Sequence, residues 1–537
     1  MKKRLLYILI SAGIIATSFS SCKKYLDELP DNRAELNTTD KIGKMLVGAY
    51  PENAYVMVAE LSSDNVDDVG PVYLNYARFI EQIYKWQDIT ETSNDGIDRI
   101  WGACYGAIAN ANAALQAIDE QGNPASLKAQ RGEALLARAY NHWILVNMFA
   151  QNYSKKYSTT DLGVTYMTKG ETTLNPKYER NTVQEVYDFI KKDIEEGLPL
   201  INDASYANSS VAKYHFNRAA AYTFASRVAL FTEDWTKAVE YSTEALGNNP
   251  TATLRDYATI ASFSAAINNT TREYNASSVK ANFLVATAYS AMGTTFGGYS
   301  TNNRISHGGS IAMTETAFAS QPFGKAATST DYRIRAFAYT STTANKVIFP
   351  HVAYMFEYTD QVAGTGFSRG VYAPITSEEA LLNRAEANIN LKNYSAAIAD
   401  MQIHINNNTI SKPATISEAS INTWANSFAY FTPTAPTPKK KLNPDFQIES
   451  GTQENMIHAV LSLKRLQFLH TGLRWFDVKR YGIEITRRVA PAVNNGTMTF
   501  TVTDNTLSIR DPRRAIQLPQ DVVSAGLTPN PRSNEIK

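Results

Sequence analysis

Apolar residues recur at alternating steps of three and four along most of this chain, and that rhythm limits its fold more than any single motif does. Trp101, Cys104, Ile108, Ala111, Leu115 and Ile118 fall on one side of a helix, and "GEALLARAYNHWILVNMFA" predicts a second long one. Ile42, Met45, Leu46 and Ala49 make a shorter stripe. Thr182 and Glu185 stand at capping-box spacing before an apolar face of Val183, Val186, Tyr187, Ile190 and Ile194. A mostly α chain is the expectation, with Cys104 as a small buried hydrophobe.

Two later stretches look like copies of one another. In "NRAAAYTFASRVALFTEDWTKAVEYSTEALGNNP" Trp235 precedes Ala238 by three, Ala245 follows, and Pro250 closes the unit. In "EEALLNRAEANINLKNYSAAIADMQIHIN" Tyr394 again precedes an alanine, Ala397, by three. Each reads as helix, polar turn, helix, with small residues where helices touch. This spacing resembles the tetratricopeptide repeat, whose packing alanines map onto Ala238, Ala245 and Ala397 and whose small first-helix position maps onto Ser226 and Ala385. His404 and Thr409 depart from it. Units so far apart must stack in space around inserted segments.

The insertions differ in composition. Residues 251–350 are rich in Thr, Ala, Ser, Asn and Gly, with β-leaning pieces in "NFLVATAY" and "KVIFPHVAYMFEY". "FTPTAPTPKKKLNPDF" reads as a Pro-punctuated surface loop, "GTGFSRG" at 364–370 as a flexible turn, and "GTMTFTVTDNTLSI" as a hairpin turning near Asp504 and Asn505.

At the N-terminus, Lys2, Lys3 and Arg4 precede the apolar run "LLYILISAGIIA" and the small residues before Cys22, the pattern of an export signal. A cysteine directly after the apolar run predicts a bacterial lipoprotein cleavage site, with residues 1–21 removed and Cys22 acylated. Phe19 stands where such sites usually carry Leu. The 52 basic and 51 acidic side chains nearly cancel, and removing the signal leaves the chain faintly acidic. Nothing global draws it to nucleic acid.

Catalytic motifs are not signalled. The seven histidines show no metal-ligand spacing, and neither a Walker A loop nor G-x-S-x-G occurs. No metal or cofactor is expected. "GLRWFDVKRYG" at 472–482 interleaves Arg474, Asp477 and Arg480 at steps of three with Trp475 and Phe476. It predicts a helix resuming after a break at Gly472, with Arg474–Asp477 and Asp477–Arg480 pairs beside buried rings.

"LVGAYP", "LSSD", "WGACYGAIANANAAL", "RGEALLARAYNHWILVNMFA", "ALLNRAEANINLKNYSAAI", "GLRWFDVKRYG" and "RRAIQLPQDVV" follow the Cys22 signal in order. Together they resemble the SusD/RagB family of Bacteroidetes outer-membrane lipoproteins over essentially the whole mature chain. The resemblance implies a SusD-like helical scaffold with tetratricopeptide-like helix pairs, long irregular loops and a few short strands. Residues 22–250 would form an N-terminal helical part, packed into one domain with a loop-rich insertion and C-terminal helical part at 251–537. It implies a non-catalytic, lipid-anchored protein exposed on the outer membrane, delivering glycan to a SusC-like TonB-dependent barrel. Peptide cargo, as in the RagB branch, and a surface hydrolase on a helical-repeat scaffold are the alternatives. Family members carry glutamates before the Gly-x-Arg-Trp segment; here Leu463, Gln467 and Thr471 stand there, so the ion-pair net around Arg465 and Arg474 should be thinner or rebuilt.

Sugar binding needs exposed aromatic platforms with polar side chains beside them. The chain has 30 Tyr and 22 Phe to supply them. Two loop segments fit: Tyr73, Asn75, Tyr76 and Arg78 in "VGPVYLNYARF", and Tyr289, Phe296, Tyr299, Asn303 and Arg304 in "AYSAMGTTFGGYSTNNRISHGG".

Overall fold

The computed structural model describes residues 36–70, 77–171, 176–262, 267–297, 303–324, 337–341, 344–409, 415–490 and 499–532. Helices form where the stripes run. Ile97–Glu120 and Lys128–Phe149 pack side by side, and Cys104 is fully buried between its neighbours, with burial pushing its thiol up. The Thr182 capping box is present: its hydroxyl accepts the Glu185 N–H at 3.2 Å, and Glu185 accepts the Thr182 N–H at 2.8 Å. All five apolar residues of that face are buried. Ile42 and Leu46 anchor the short helix Thr39–Val47.

Both expected helix pairs are there, Arg218–Phe231 with Trp235–Leu246 and Ser377–Asn390 with Tyr394–Asn408. The second helix of the first pair packs on the first helix of the second pair, so the insertion between them loops out and returns. Small residues set the approach. The Ser226 and Ser242 hydroxyls lie 2.6 Å apart, and Ala238, Ala245, Ala385 and Ala397 are buried. Arg227 joins the pairs through a buried two-pronged bond to Glu379 at 2.5 and 2.6 Å.

Nine strands stand among the described residues: β1 (Asp67–Asp68), β2 (Asn282–Tyr289), β3 (Ile305–Ser306), β4 (Phe337–Ser341), β5 (Ala344–Ile348), β6 (Val352–Asp360), β7 (Thr365–Thr376), β8 (Ile485–Val489) and β9 (Thr501–Leu507). They form sheets ordered β3-β1-β8-β9, β2-β7-β6 and β4-β5. Strand β2 coincides with "NFLVATAY". Two readings are corrected. "GTGFSRG" is not a flexible turn: Gly364 turns with φ +66°, and the rest opens twelve-residue β7. The C-terminal alternation does not turn at Asp504: Thr501–Leu507 continues through it as β9, antiparallel to β8 with one register shift. The Pro-punctuated region also reaches inward, since Lys440 is buried and meets Glu315 at 2.6 Å.

"GLRWFDVKRYG" lies inside the molecule. Gly472 takes a left-handed φ of +80°, the helix Leu473–Arg480 follows, and Trp475 and Phe476 are buried. Asp477 and Arg480 pair as expected at 3.2 Å, and Arg480 lies over the Phe231 ring while bonding Glu386 at 2.8 Å. Arg474 instead takes Asp64, at 2.7 and 2.9 Å, because the earlier chain presents a carboxylate that matches its fork. The net is extensive: Arg465 bonds Glu315 at 3.0 Å and the Asn65 amide oxygen at 2.9 Å, and Arg488 joins Glu315 to Asp67 at 2.6 and 2.9 Å. Burial works against ionising Asp64, but Arg465, Arg474 and Lys440 outweigh it and hold its carboxyl well below the usual range. Glu315 is likewise brought down to about 2 against burial by Lys440, Arg488 and Arg465.

Candidate ligand-binding surface

The two loop segments singled out in the sequence meet through β1 and β3. Asp67 and Asp68 pair antiparallel with Ser306 and Ile305, and the Val69 N–H donates to the Arg304 carbonyl at 2.8 Å. Arg304 also forks onto Asp68, both bonds 2.7 Å. Asn303 is buried and donates to the Thr295 carbonyl at 3.2 Å. Phe296 is 3% exposed and stacks on His470 with ring centres 5.1 Å apart, so its faces are taken up inside the molecule. Arg78 opens the helix Arg78–Tyr84, reaches into solvent, and lies 3.3 Å from Glu91. Tyr73, Asn75, Tyr76 and Tyr299 lie outside the described residues, as does Cys22.

Tyr289 ends β2, half-buried. Its N–H donates to the Glu52 carbonyl at 2.7 Å, and its own carbonyl accepts from Asn53 at 3.1 Å. Its ring is covered by Arg369, 3.3 Å from the centre, and meets the Phe367 ring edge-on at 5.4 Å. Arg369 is held in place by Glu357 at 2.6 Å.

These contacts lead to a surface the sequence reading missed. Directly paired residues share a face of a sheet. Tyr289, Arg369 and Met355 therefore stand in a row across β2, β7 and β6, with Phe367 and Glu357 in the next row out. On the other face Tyr354, Phe356 and Tyr358 lie opposite Gly370, Ser368 and Gly366. Tyr358 is 56% exposed, Phe367 47% and Met355 42%, and the Phe356 and Tyr358 rings meet edge-on at 4.8 Å. The glycines have a packing reason: a Cβ on Gly370 would stand 2.3 Å from the end of Met292. A signal was present in "VAYMFEY", whose rings fall on alternate residues, but the glycines of β7 disguised its partner as a loop.

Chemically, each face offers a flat apolar ring with polar groups beside it, Phe367 with Arg369 and Glu357 on one and Tyr358 with its own hydroxyl on the other, suited to stacking and hydrogen bonding. Buried histidines are held neutral: burial lowers His142, His307 and His351 to about 3 and His404 to about 4. Among the described residues no group of His, Cys, Asp or Glu could hold a metal ion, and no helix is long and apolar enough to cross a membrane.

Residues 24–230 match the SusD-like family described as starch-binding and associating with the outer membrane. In structure the chain is similar to a SusD superfamily protein from Bacteroides thetaiotaomicron, with 16% identity, 92% of this chain and 100% of that one covered, and a TM-score of 0.60. A SusD-like carbohydrate binding protein from Bacteroides vulgatus aligns over 91% of this chain and 96% of its own at 15% identity and a TM-score of 0.58. A SusD superfamily protein from Bacteroides fragilis covers 92% and 99% at 18% identity, also with a TM-score of 0.58. No curated protein matches in sequence. At these identities the structural likeness is one of fold. With the family match over residues 24–230, the fold is SusD-like: a mostly α-helical scaffold with short strands.

Proposed function

We propose that this chain is a non-catalytic glycan-binding lipoprotein of the outer-membrane surface, anchored through Cys22, that hands oligosaccharide to a SusC-like TonB-dependent barrel. The family's description as starch-binding and outer-membrane-associated carries the reading. The exposed rings of the β6–β7 hairpin support it by supplying stacking platforms beside Tyr289. Calorimetric titration of a glycan panel tests it: saturable binding with unchanged ligand chain length is expected, and shortening of the ligand would favour a hydrolase. A peptide cargo has one observation in its favour. Among the described residues strand β6 is an edge strand of its sheet, and an extended peptide can add to such an edge. Binding of a peptide pool by a protein that ignores every glycan would select that reading.

A further inference from the structure

The turn after β2 is gripped at both ends by buried ions that have no counter-ion among the described residues. At its start the Asp95 carboxylate, fully buried, accepts the Ser290 hydroxyl and the Ala291 N–H, the latter at 2.8 Å. At its end Lys346, 4% exposed, donates to the Thr295 carbonyl at 3.2 Å, the oxygen that Asn303 also uses. Between them lies one helical turn, Met292–Thr295.

Among the described residues no charge nearby offsets either ion. Around Asp95, Glu52 points to solvent, Asp98 and Arg99 face each other at 3.5 Å on the surface, and Tyr289 sits under Arg369. Against β5, which carries Lys346, stand His307 and His470 with its neighbour Glu60; the helix Gly309–Thr314 also packs on β5, and Glu315 at its end is engaged by Lys440, Arg465 and Arg488.

We infer that Asp95 and Lys346 make the Ser290–Thr295 turn a metastable clamp, which opens most readily when both are charged and is locked by neutralising either one. Burial raises the Asp95 carboxyl to about 6, opposed by the bonds from Ser290 and Ala291, and burial lowers the Lys346 amine to about 8. An acid whose closed-state value is raised binds its proton more tightly closed than open. Closure is therefore favoured as pH falls through about 6, and for the amine as pH rises through about 8. Between the two, both charges are buried at full cost. The turn carries Tyr289 on one side and leads toward Asn303 and Arg304 on the other. Opening would thus loosen the proposed ligand surface, a consequence that rests on the glycan-binding reading although the clamp itself does not.

Hydrogen exchange of the mature full-length protein, without ligand, tests the clamp. After correction for intrinsic exchange, peptides over residues 290–296 should open roughly tenfold less at about pH 5 than at about pH 7.5. Asp95→Asn should show the tighter state at both values, and Lys346→Met should be tighter than wild type at about pH 7.5. Equal or looser protection of the wild type at the lower pH would overturn the inference, as would an Asp95→Asn protein that keeps the wild-type pH response. If Asp95→Asn fails to fold, the wild-type pH pair and Lys346→Met still decide. Because no ligand is present, failure of the clamp is read separately from failure of glycan binding.

Discussion

Two sets of buried charge sit within this fold and behave oppositely. In the seam that ties residues 60–68 to 465–488, Asp64 and Glu315 meet Arg465, Arg474, Arg488 and Lys440 at close range, and the cations hold both carboxyls down against burial. At the Ser290–Thr295 turn, Asp95 and Lys346 each bond only backbone or a hydroxyl among the described residues, and burial moves both toward neutrality. Desolvation is common to the two; compensation is not. Matched charges lock distant parts of the chain together, while solitary ones leave a loop poised beside the candidate ligand surface.

Removing compensation from the seam should give the largest effect. Glu315→Ala leaves Lys440, Arg465 and Arg488 short of an acceptor and should cost roughly 3–5 kcal/mol in urea denaturation. Arg474→Ala, measured in the same way, should cost less, because Arg465 and Lys440 still face Asp64 at 3.6 and 3.7 Å.

Acid separates the two regions by sign. Glu315 sits at about 2 in the fold against a usual 4.5, so its contribution is fully present above the usual value and is lost as pH falls through about 2, on the order of 3 kcal/mol in total. Asp95 goes the other way, from a usual 3.8 to about 6, so protonating it relieves the fold. Denaturation titrations should therefore show Asp95→Asn about 1–3 kcal/mol more stable than wild type at neutral pH, with the advantage vanishing below the usual carboxylate value. A constant offset between the two proteins would break the comparison.

Ligand binding should respond more modestly and without a stability change. Phe367→Ala and Tyr358→Ala should each weaken glycan affinity by about 1–2 kcal/mol in calorimetry. Thermal denaturation should move by less than about 1 kcal/mol, because about half of each ring stands in solvent.

What could be read in the sequence follows from how local each feature is. The Cys104 stripe, the Thr182 cap and the alanines of the helix pairs were legible because a helix brings residues three and four apart together whatever surrounds it. The partner of Arg474 was not: Asp477 lies within reach on the same helix, but Asp64, 410 positions away, presents the better fork. Candidate site residues split in the same way. Pairing of β1 with β3 places Arg304 beside Asp68, whereas Phe296, a platform candidate by its loop position, is stacked on His470 inside. The β6–β7 rings escaped notice because Gly366, Ser368 and Gly370 read as a loop, when their small size is what lets the rings and Met292 pack across β7.

The most direct test is titration of the mature protein with a starch and oligosaccharide panel, alongside a Tyr358→Ala/Phe367→Ala double variant, with product lengths checked afterwards. Saturable binding of at least one glycan, undamaged and strongly weakened in the double variant at unchanged melting temperature, is the predicted result. Indifference to every glycan, unaltered affinity in the double variant, or shortened chains in the tube would contradict it.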